Sequence, residues 1–173
     1  MTSDLPFTLE ELYLGKQKRM KISRKVNGVD AEETIDIGAK PGWKAGTKIT
    51  FSGKGGDSIP GRPAADLVFV VKEKPHALFK RDGNDLVMDR TVTLKEALCG
   101  YLLQFDHLNG ASYKFQISDV IQPDMTKTVA NLGMPDPKNP GTFGHLRIQF
   151  RVRFPQNLSD EQKDMLRQTL SYA

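Results

Sequence analysis

The sequence predicts a mostly β protein: two tandem β-sandwich-like domains of similar plan, each with one short helix, followed by a C-terminal helix. Three observations predict it. An octet is written nearly twice, TLEELYLG at Thr8–Gly15 and TLKEALCG at Thr93–Gly100. The landmarks after it keep their order at a slowly shrinking offset: 85 residues from Thr8 to Thr93, 82 from Pro41 to Pro123, 79 from Leu67 to Leu146. Two homologous units with shorter loops in the second give that drift. Finally, runs such as DLVFVV and LRIQFRVRF are rich in β-branched and aromatic residues and are bounded by Pro and Gly, as strands are.

The elements follow in order. In each octet a Thr three residues before a Glu (Thr8 and Glu11, Thr93 and Glu96) forms a capping box that opens one short helical turn. The basic segment KQKRMKISRK, Lys16–Lys25, reads as a strand with Lys18, Met20 and Ile22 on one face and Arg19, Lys21 and Ser23 on the other. Pro41-Gly42, Asp82-Gly83 and Asn109-Gly110 supply turns. GKGGD, Gly53–Asp57, lacks the spacing of a triphosphate-binding loop and is expected to be a loop between strands. The boundary falls near Lys74–Asn84, giving domains at 1–77 and 78–156. In IQFRVRF the residues Ile148, Phe150, Val152 and Phe154 share one face, the mark of a half-buried strand. Ser159 and Gln162 form a third capping box, opening a helix within 157–173. Its stripe of Met165, Leu166 and Leu170 packs either on its own domain or on a second chain.

Composition excludes several classes. No apolar run is long enough to span a bilayer, and the N-terminus lacks a signal-peptide pattern. The lone Cys99 excludes an intramolecular disulfide and a cysteine-based zinc cluster, and is expected to be a small buried residue. His76, His107 and His145 have no metal-ligand spacing, and the acids form no distinguished pair. The expectation is a non-enzyme without cofactor or metal, in the cytoplasm, with the nucleus left open.

The basic strand is the singular feature. Lys16, Lys18, Arg19, Lys21, Arg24 and Lys25 fall within ten residues with no acid among them. A lysine in line with Met20 and Ile22 is costly on a buried face without a partner. It is accounted for either by a strand end that snorkels to water or by a solvent-open groove with apolar pockets and a cation beside them. Such a groove suits an extended peptide carrying carboxylates and an apolar side chain, added as a strand. The second copy, YLLQFDHL at Tyr101–Leu108, has no lysine or arginine there. A charge cluster kept in only one of two like-built domains points to a site. Nucleic-acid binding is the alternative, although no aromatic residues interleave with the lysines to stack on bases.

Together LPFTLEELYLGKQKRMKISRK, KPGWKAGTKITFSGKGGD, ADLVFVVKEKPHALFKRDGNDL and TLKEALCG resemble the C-terminal substrate-binding region of a J-domain co-chaperone, the DnaJ family. The resemblance runs through essentially the whole chain. It implies a protein that binds unfolded client polypeptides and delivers them to the seventy-kilodalton heat-shock ATPase. It also implies a peptide groove on the strand of Lys18, Met20 and Ile22, with the apolar pocket completed by Leu5 and Phe79. That groove would accept the ATPase's acidic tail, ending Glu-Glu-Val-Asp, with Lys18 facing carboxylates and Met20 and Ile22 facing the valine. Methionine stands at position 20 where members often have phenylalanine. For Met165, Leu166 and Leu170 the resemblance implies a homodimer. The His-Pro-Asp tripeptide of the J-domain and the Cys-x-x-Cys-x-Gly-x-Gly zinc repeats are both missing, so the match is to the class without zinc. The chain is expected to be part of a longer protein, with no nucleic acid or membrane among its partners.

Overall fold

The computed structural model describes residues 1–171. The first half holds β1 (Thr2–Phe7), α1 (Leu9–Leu14), β2 (Lys16–Val26), β3 (Val29–Ala39), β4 (Lys48–Gly55) and β5 (Ala65–Glu73). A short β6 (Lys80–Asp82) leads into β7 (Asp85–Thr93), α2 (Leu94–Cys99), β8 (Tyr101–Asp106), β9 (Ser112–Ile117), β10 (Thr126–Val129) and β11 (Leu146–Arg153). The chain closes with α3 (Asp160–Thr169).

The two halves repeat one topology. In the first, β1-β5-β4 form a sheet, with β1 parallel and β4 antiparallel to β5, beside a β2–β3 hairpin. In the second, β10-β11-β7-β6 form the sheet, with β11 parallel to β7, beside a β8–β9 hairpin. The duplicated octet is the corner between sheet and hairpin. Thr8 Oγ1 accepts the Glu11 N–H at 3.2 Å and Glu11 Oε2 accepts the Thr8 N–H at 3.0 Å; Thr93 and Glu96 repeat both bonds at the same lengths. Each octet ends in a glycine at positive φ, 80° at Gly15 and 111° at Gly100, a turn out of the helix that side chains disfavour.

The β2–β3 hairpin owes its register to a turn the sequence reading passed over. Asn27 and Gly28 have φ of 52° and 82°, the paired positive values of a two-residue type I′ connection. Eleven cross-strand pairs follow, from Val26 opposite Val29 to Lys16 opposite Ala39.

Three local expectations are corrected. Gly53–Gly55 is the end of β4 and not a loop: the register shifts between Phe51 and Gly55, a bulge that carries the strand onward. Phe154 is exposed although it continues the alternation of Ile148 and Phe150, because β11 ends at Arg153 and nothing covers the next position. Cys99 is exposed, not buried, because Ala97 is the residue α2 turns into the core.

One contiguous apolar core runs through both halves. Among the described residues no strand pairs across Lys74–Phe79, yet this segment is pinned between the sheets. Phe79 is fully buried, its ring centroid 6.1 Å from Phe105 and 5.8 Å from His107. Beside it Arg81, 3% exposed, donates to the carbonyls of Trp43 (2.5 Å) and Gly42 (2.7 Å) and to Glu73 (3.0 Å). Burial lowers the Arg81 pKa, and Glu73 opposes that shift. Among the described residues no helix is long and apolar enough to cross a membrane.

Candidate functional site

Main-chain phase decides what β2 offers on its outer edge. Because the hairpin closes on a two-residue turn, Val26 and Val29 exchange hydrogen bonds, and so do every second pair back along the ladder. Arg24, Ile22, Met20 and Lys18 therefore spend their main-chain groups on β3. Lys25, Ser23, Lys21 and Arg19 point theirs away from it. Lys25 already uses them: its N–H donates to Asp57 Oδ1 at 2.7 Å and its carbonyl accepts the Ser58 N–H at 3.0 Å. From Ser23 back to Arg19 the edge is open among the described residues, since β2 pairs there in its sheet with β3 alone. Among the described residues no strand pairs with the outer edge of β1 either, although Lys18 takes its Pro6 carbonyl.

Between these two edges lies a groove of about 350 Å³. Leu67 and Phe69 from β5 are its buried floor, and half-buried Met20 and Ile22 form one wall. Ser3 of β1 faces them, and Arg24, Lys54 and Asp57 close the end nearest the hairpin tip. The floor is apolar and one wall is unpaired backbone, which together fit an added strand carrying an apolar side chain.

The cations of β2 are largely partnered, and the partners come from β3 and α1. On the outer face Arg19 meets Asp36 at 3.1 Å and Lys21 meets Glu32 at 2.6 Å, as cross-strand pairs. On the inner face Lys18 lies 3.2 Å from Glu11 Oε2, donates to the Pro6 carbonyl and sits 4.3 Å above the Phe7 ring centroid. The partner that the sequence reading could not find for Lys18 is the Glu of the octet itself. Burial raises the Glu11 pKa, but the Thr8 N–H and Lys18 outweigh it and leave this carboxyl below its usual range. Further along, Arg24 and Lys54 share Glu33: Arg24 Nη2 stands 3.6 Å from its Oε2 and Lys54 pairs with its Oε1. Lys54's hydrogen bond holds Glu33 below the usual carboxylate range against a smaller effect of burial.

The structure thus brings Met20 and Ile22 together on the groove and separates the other expected residues from its surface. Leu5 is buried one alternation beyond Ser3 on the same face of β1. Phe79 is sealed in the junction with the second half. Lys18 closes the end of the groove at α1 rather than lining it. Arg24, Lys54, Leu67 and Phe69 were missed. Arg24 was legible as the next residue on the face of Met20 and Ile22. Lys54 was not, because the glycines around it read as a loop.

A second opening, about 410 Å³, lies beside α3 and is lined by Leu94, Leu98, Phe154, Pro155, Leu158 and Leu166. Met165 is 62% exposed, Leu170 is exposed and Leu166 is half-buried, so α3 leaves most of its apolar stripe uncovered by its own chain.

Duplicated sandwiches joined by a packed junction, with an open strand edge and a capped terminal helix, define the class, and sequence comparison agrees: the chain belongs to the DnaJ C-terminal domain family, whose description "DnaJ C terminal domain" matches residues 1–155. Having a single cysteine, it falls in the class without zinc repeats. It is 41% identical over 172 residues to DnaJ protein homolog 1 of Drosophila melanogaster, covering 96% of this chain and 51% of that protein. It is also 41% identical over 173 residues to human DnaJ homolog subfamily B member 5 (96% and 49%) and 40% identical over 161 residues to protein SIS1 of Saccharomyces cerevisiae (92% and 46%). The chain spans about half the length of these relatives.

Proposed function

We propose that this chain is the polypeptide-binding part of a J-domain co-chaperone, a non-catalytic module. It takes extended segments of unfolded clients, and the acidic tail of the seventy-kilodalton heat-shock ATPase, along the edge of β2, and so passes clients to that ATPase. The observation that carries this reading is the unpaired stretch Arg19–Ser23 of β2 bordering a groove with an apolar floor. Main-chain bonds to that edge supply affinity without regard to sequence, and the pocket of Met20 and Ile22 selects apolar side chains. Leu5, Lys18 and Phe79 support the site from behind: Leu5 in the core under β1, Lys18 by tying β2 to α1, Phe79 by fixing the second unit, which begins at residue 78. The paired state of Arg19, Lys21 and Lys18 removes much of the positive field on which a nucleic-acid reading rested.

Titration of a labelled Glu-Glu-Val-Asp-ended peptide by fluorescence anisotropy tests this. Saturable binding is expected, with Met20→Ser weakening it several-fold, about 1 kcal/mol. Lys18→Ala is expected to weaken it less, by loosening the corner. Binding indifferent to Met20→Ser would move the site elsewhere.

Two copies are proposed to pair through α3, with Met165, Leu166 and Leu170 of each seated in the apolar opening beside α3 of the other. A two-fold pair holds two grooves toward one client, raising apparent affinity without new contacts. Sedimentation equilibrium should give a dimer that Leu166→Asp converts to monomer. A dimer surviving that change would exclude this interface.

A further inference from the structure

We infer that the anion-recognising subsite of the groove is Arg24 with Lys54, and that it selects segments with a carboxylate two residues from an aliphatic side chain. This rests on the groove reading above and specifies what that groove prefers.

Lys18 is a poor receiver for an incoming carboxylate. Its ammonium already has Glu11 at 3.2 Å, the Pro6 carbonyl and the face of Phe7, so an arriving anion would compete with a carboxylate fixed by its own capping box. Arg24 and Lys54 stand differently. They are two cations sharing one carboxylate, Glu33. Their side chains are 15% and 32% exposed, so water screens their interactions less than on an open surface. At 3.6 Å the Arg24 Nη2 contact with Glu33 is too long for a hydrogen bond, while Nη1 is anchored on the Gly53 carbonyl at 2.9 Å. The guanidinium is held in place with donor capacity unspent, the arrangement that favours a charge-assisted bond to a carboxylate.

The other charged groups nearby are already partnered. Lys21 spends its charge on Glu32 on the opposite face. Asp66 accepts the Gly53 N–H through Oδ1. Asp57, the acid that lines this end, already accepts the Lys25 N–H through Oδ1. Counting Lys54, Arg24, Glu33 and Asp57 gives balance, so what this pair offers an incoming carboxylate is the unspent donor capacity of the Arg24 guanidinium rather than net charge.

Spacing then fixes the pattern. Ile22 and Arg24 share a face two residues apart, about 7 Å at the rise of a strand. A peptide strand added to the same edge has the same repeat. Its side chain over Met20 and Ile22 and its side chain reaching Arg24 and Lys54 are therefore two residues apart. Lys54 reaches this place only because the bulge between Phe51 and Gly55 carries β4 past its regular register.

The test is anisotropy with labelled peptides whose ends are blocked, so that no terminal carboxylate intervenes. One has the core Glu-Ser-Val-Ser-Glu, which serves either strand direction; its isomer has Ser-Glu-Val-Glu-Ser; a third has Gln for both Glu. The first is expected to bind about fivefold tighter than the other two. Lys54→Ala should bring the Glu and Gln forms within about twofold of each other, and Lys54→Glu should reverse the preference toward a Lys-bearing core. Lys54→Gln with an unchanged circular-dichroism spectrum guards against misfolding as the cause. Lys18→Ala should weaken both forms by the same factor. A Glu-to-Gln ratio that survives Lys54→Ala, or that Lys18→Ala abolishes, overturns the assignment. Equal binding of all three cores by the unaltered chain removes the subsite and leaves the groove standing. Failure of every peptide to bind removes the groove reading as well.

Discussion

The hairpins β2–β3 and β8–β9 occupy the same place in two copies of one plan, and their inner faces have opposite fates. Counting from the glycine that ends each octet, Lys18, Met20 and Ile22 correspond to Leu103, Phe105 and His107. The first three are half-buried and border solvent; the second three are buried. Phe105 has Phe79, Tyr113 and Phe115 around it, with centroids at 6.1, 5.7 and 6.1 Å. His107 meets the ring of Tyr13 at 5.3 Å, donates from Nε2 to the Leu132 carbonyl at 2.9 Å and accepts the Asn109 N–H on Nδ1 at 3.2 Å. What covers the second face comes from outside its own hairpin: Phe79 from the junction and Tyr13 from α1. Among the described residues no corresponding side chain arrives over Met20 and Ile22. A site in this duplicated scaffold is a face left uncovered.

The largest expected effect sharpens that contrast. Phe105→Ala opens a cavity in a packed aromatic cluster and should cost about 3–5 kcal/mol in urea unfolding. Met20→Ala removes fewer contacts from a face already open to water and should cost about 1–2 kcal/mol, scaling the core value by its partial burial. Losses of equal size would mean that the face of β2 is as closed as that of β8, and the distinction would fail.

That contrast was half legible in the sequence. The capping boxes announce themselves because Thr and Glu three apart need only local geometry, and the alternation along β2 needs only the pleat. Both were read at the right residues. What decides openness is non-local. The acids that neutralise the basic run, Glu32, Glu33 and Asp36, lie across the hairpin. Pairing them with Arg19, Lys21 and Arg24 requires the register that Asn27-Gly28 sets. The resemblance put Phe79 in the pocket, and the structure packs it against Phe105 and His107, more than twenty residues on. Lys54 was hidden by its glycines, since a bulged strand end and a loop have the same composition. Phe154 and Cys99 show the converse limit: alternation and apolar flanks foretell burial only where something exists to cover the residue.

The smallest expected effect concerns the octets themselves. Glu11 and Glu96 each close a capping box, and both carboxyls lie below their usual range. At Glu96 the cause is the hydrogen bonding with Thr93; at Glu11 burial pushes upward and is outweighed by Thr8 and Lys18. A carboxyl whose folded pKa is depressed stabilises the protein above its unfolded pKa, and that stability is lost as pH falls through the folded value. Glutamine retains the capping-box geometry but not the charge. At pH 7, Glu11→Gln should therefore lose the ion pair with Lys18, under about 1 kcal/mol at this partly exposed site. Glu96→Gln, with no lysine at the matching strand position, should lose less. Urea unfolding from about pH 7 down to about pH 3, across the ordinary carboxylate range, should show the Glu11→Gln curve converging on the unaltered protein from below. If Glu96→Gln is the costlier change at pH 7, the ion pair of Lys18 with Glu11 contributes nothing, and the first octet differs from the second only in its neighbours.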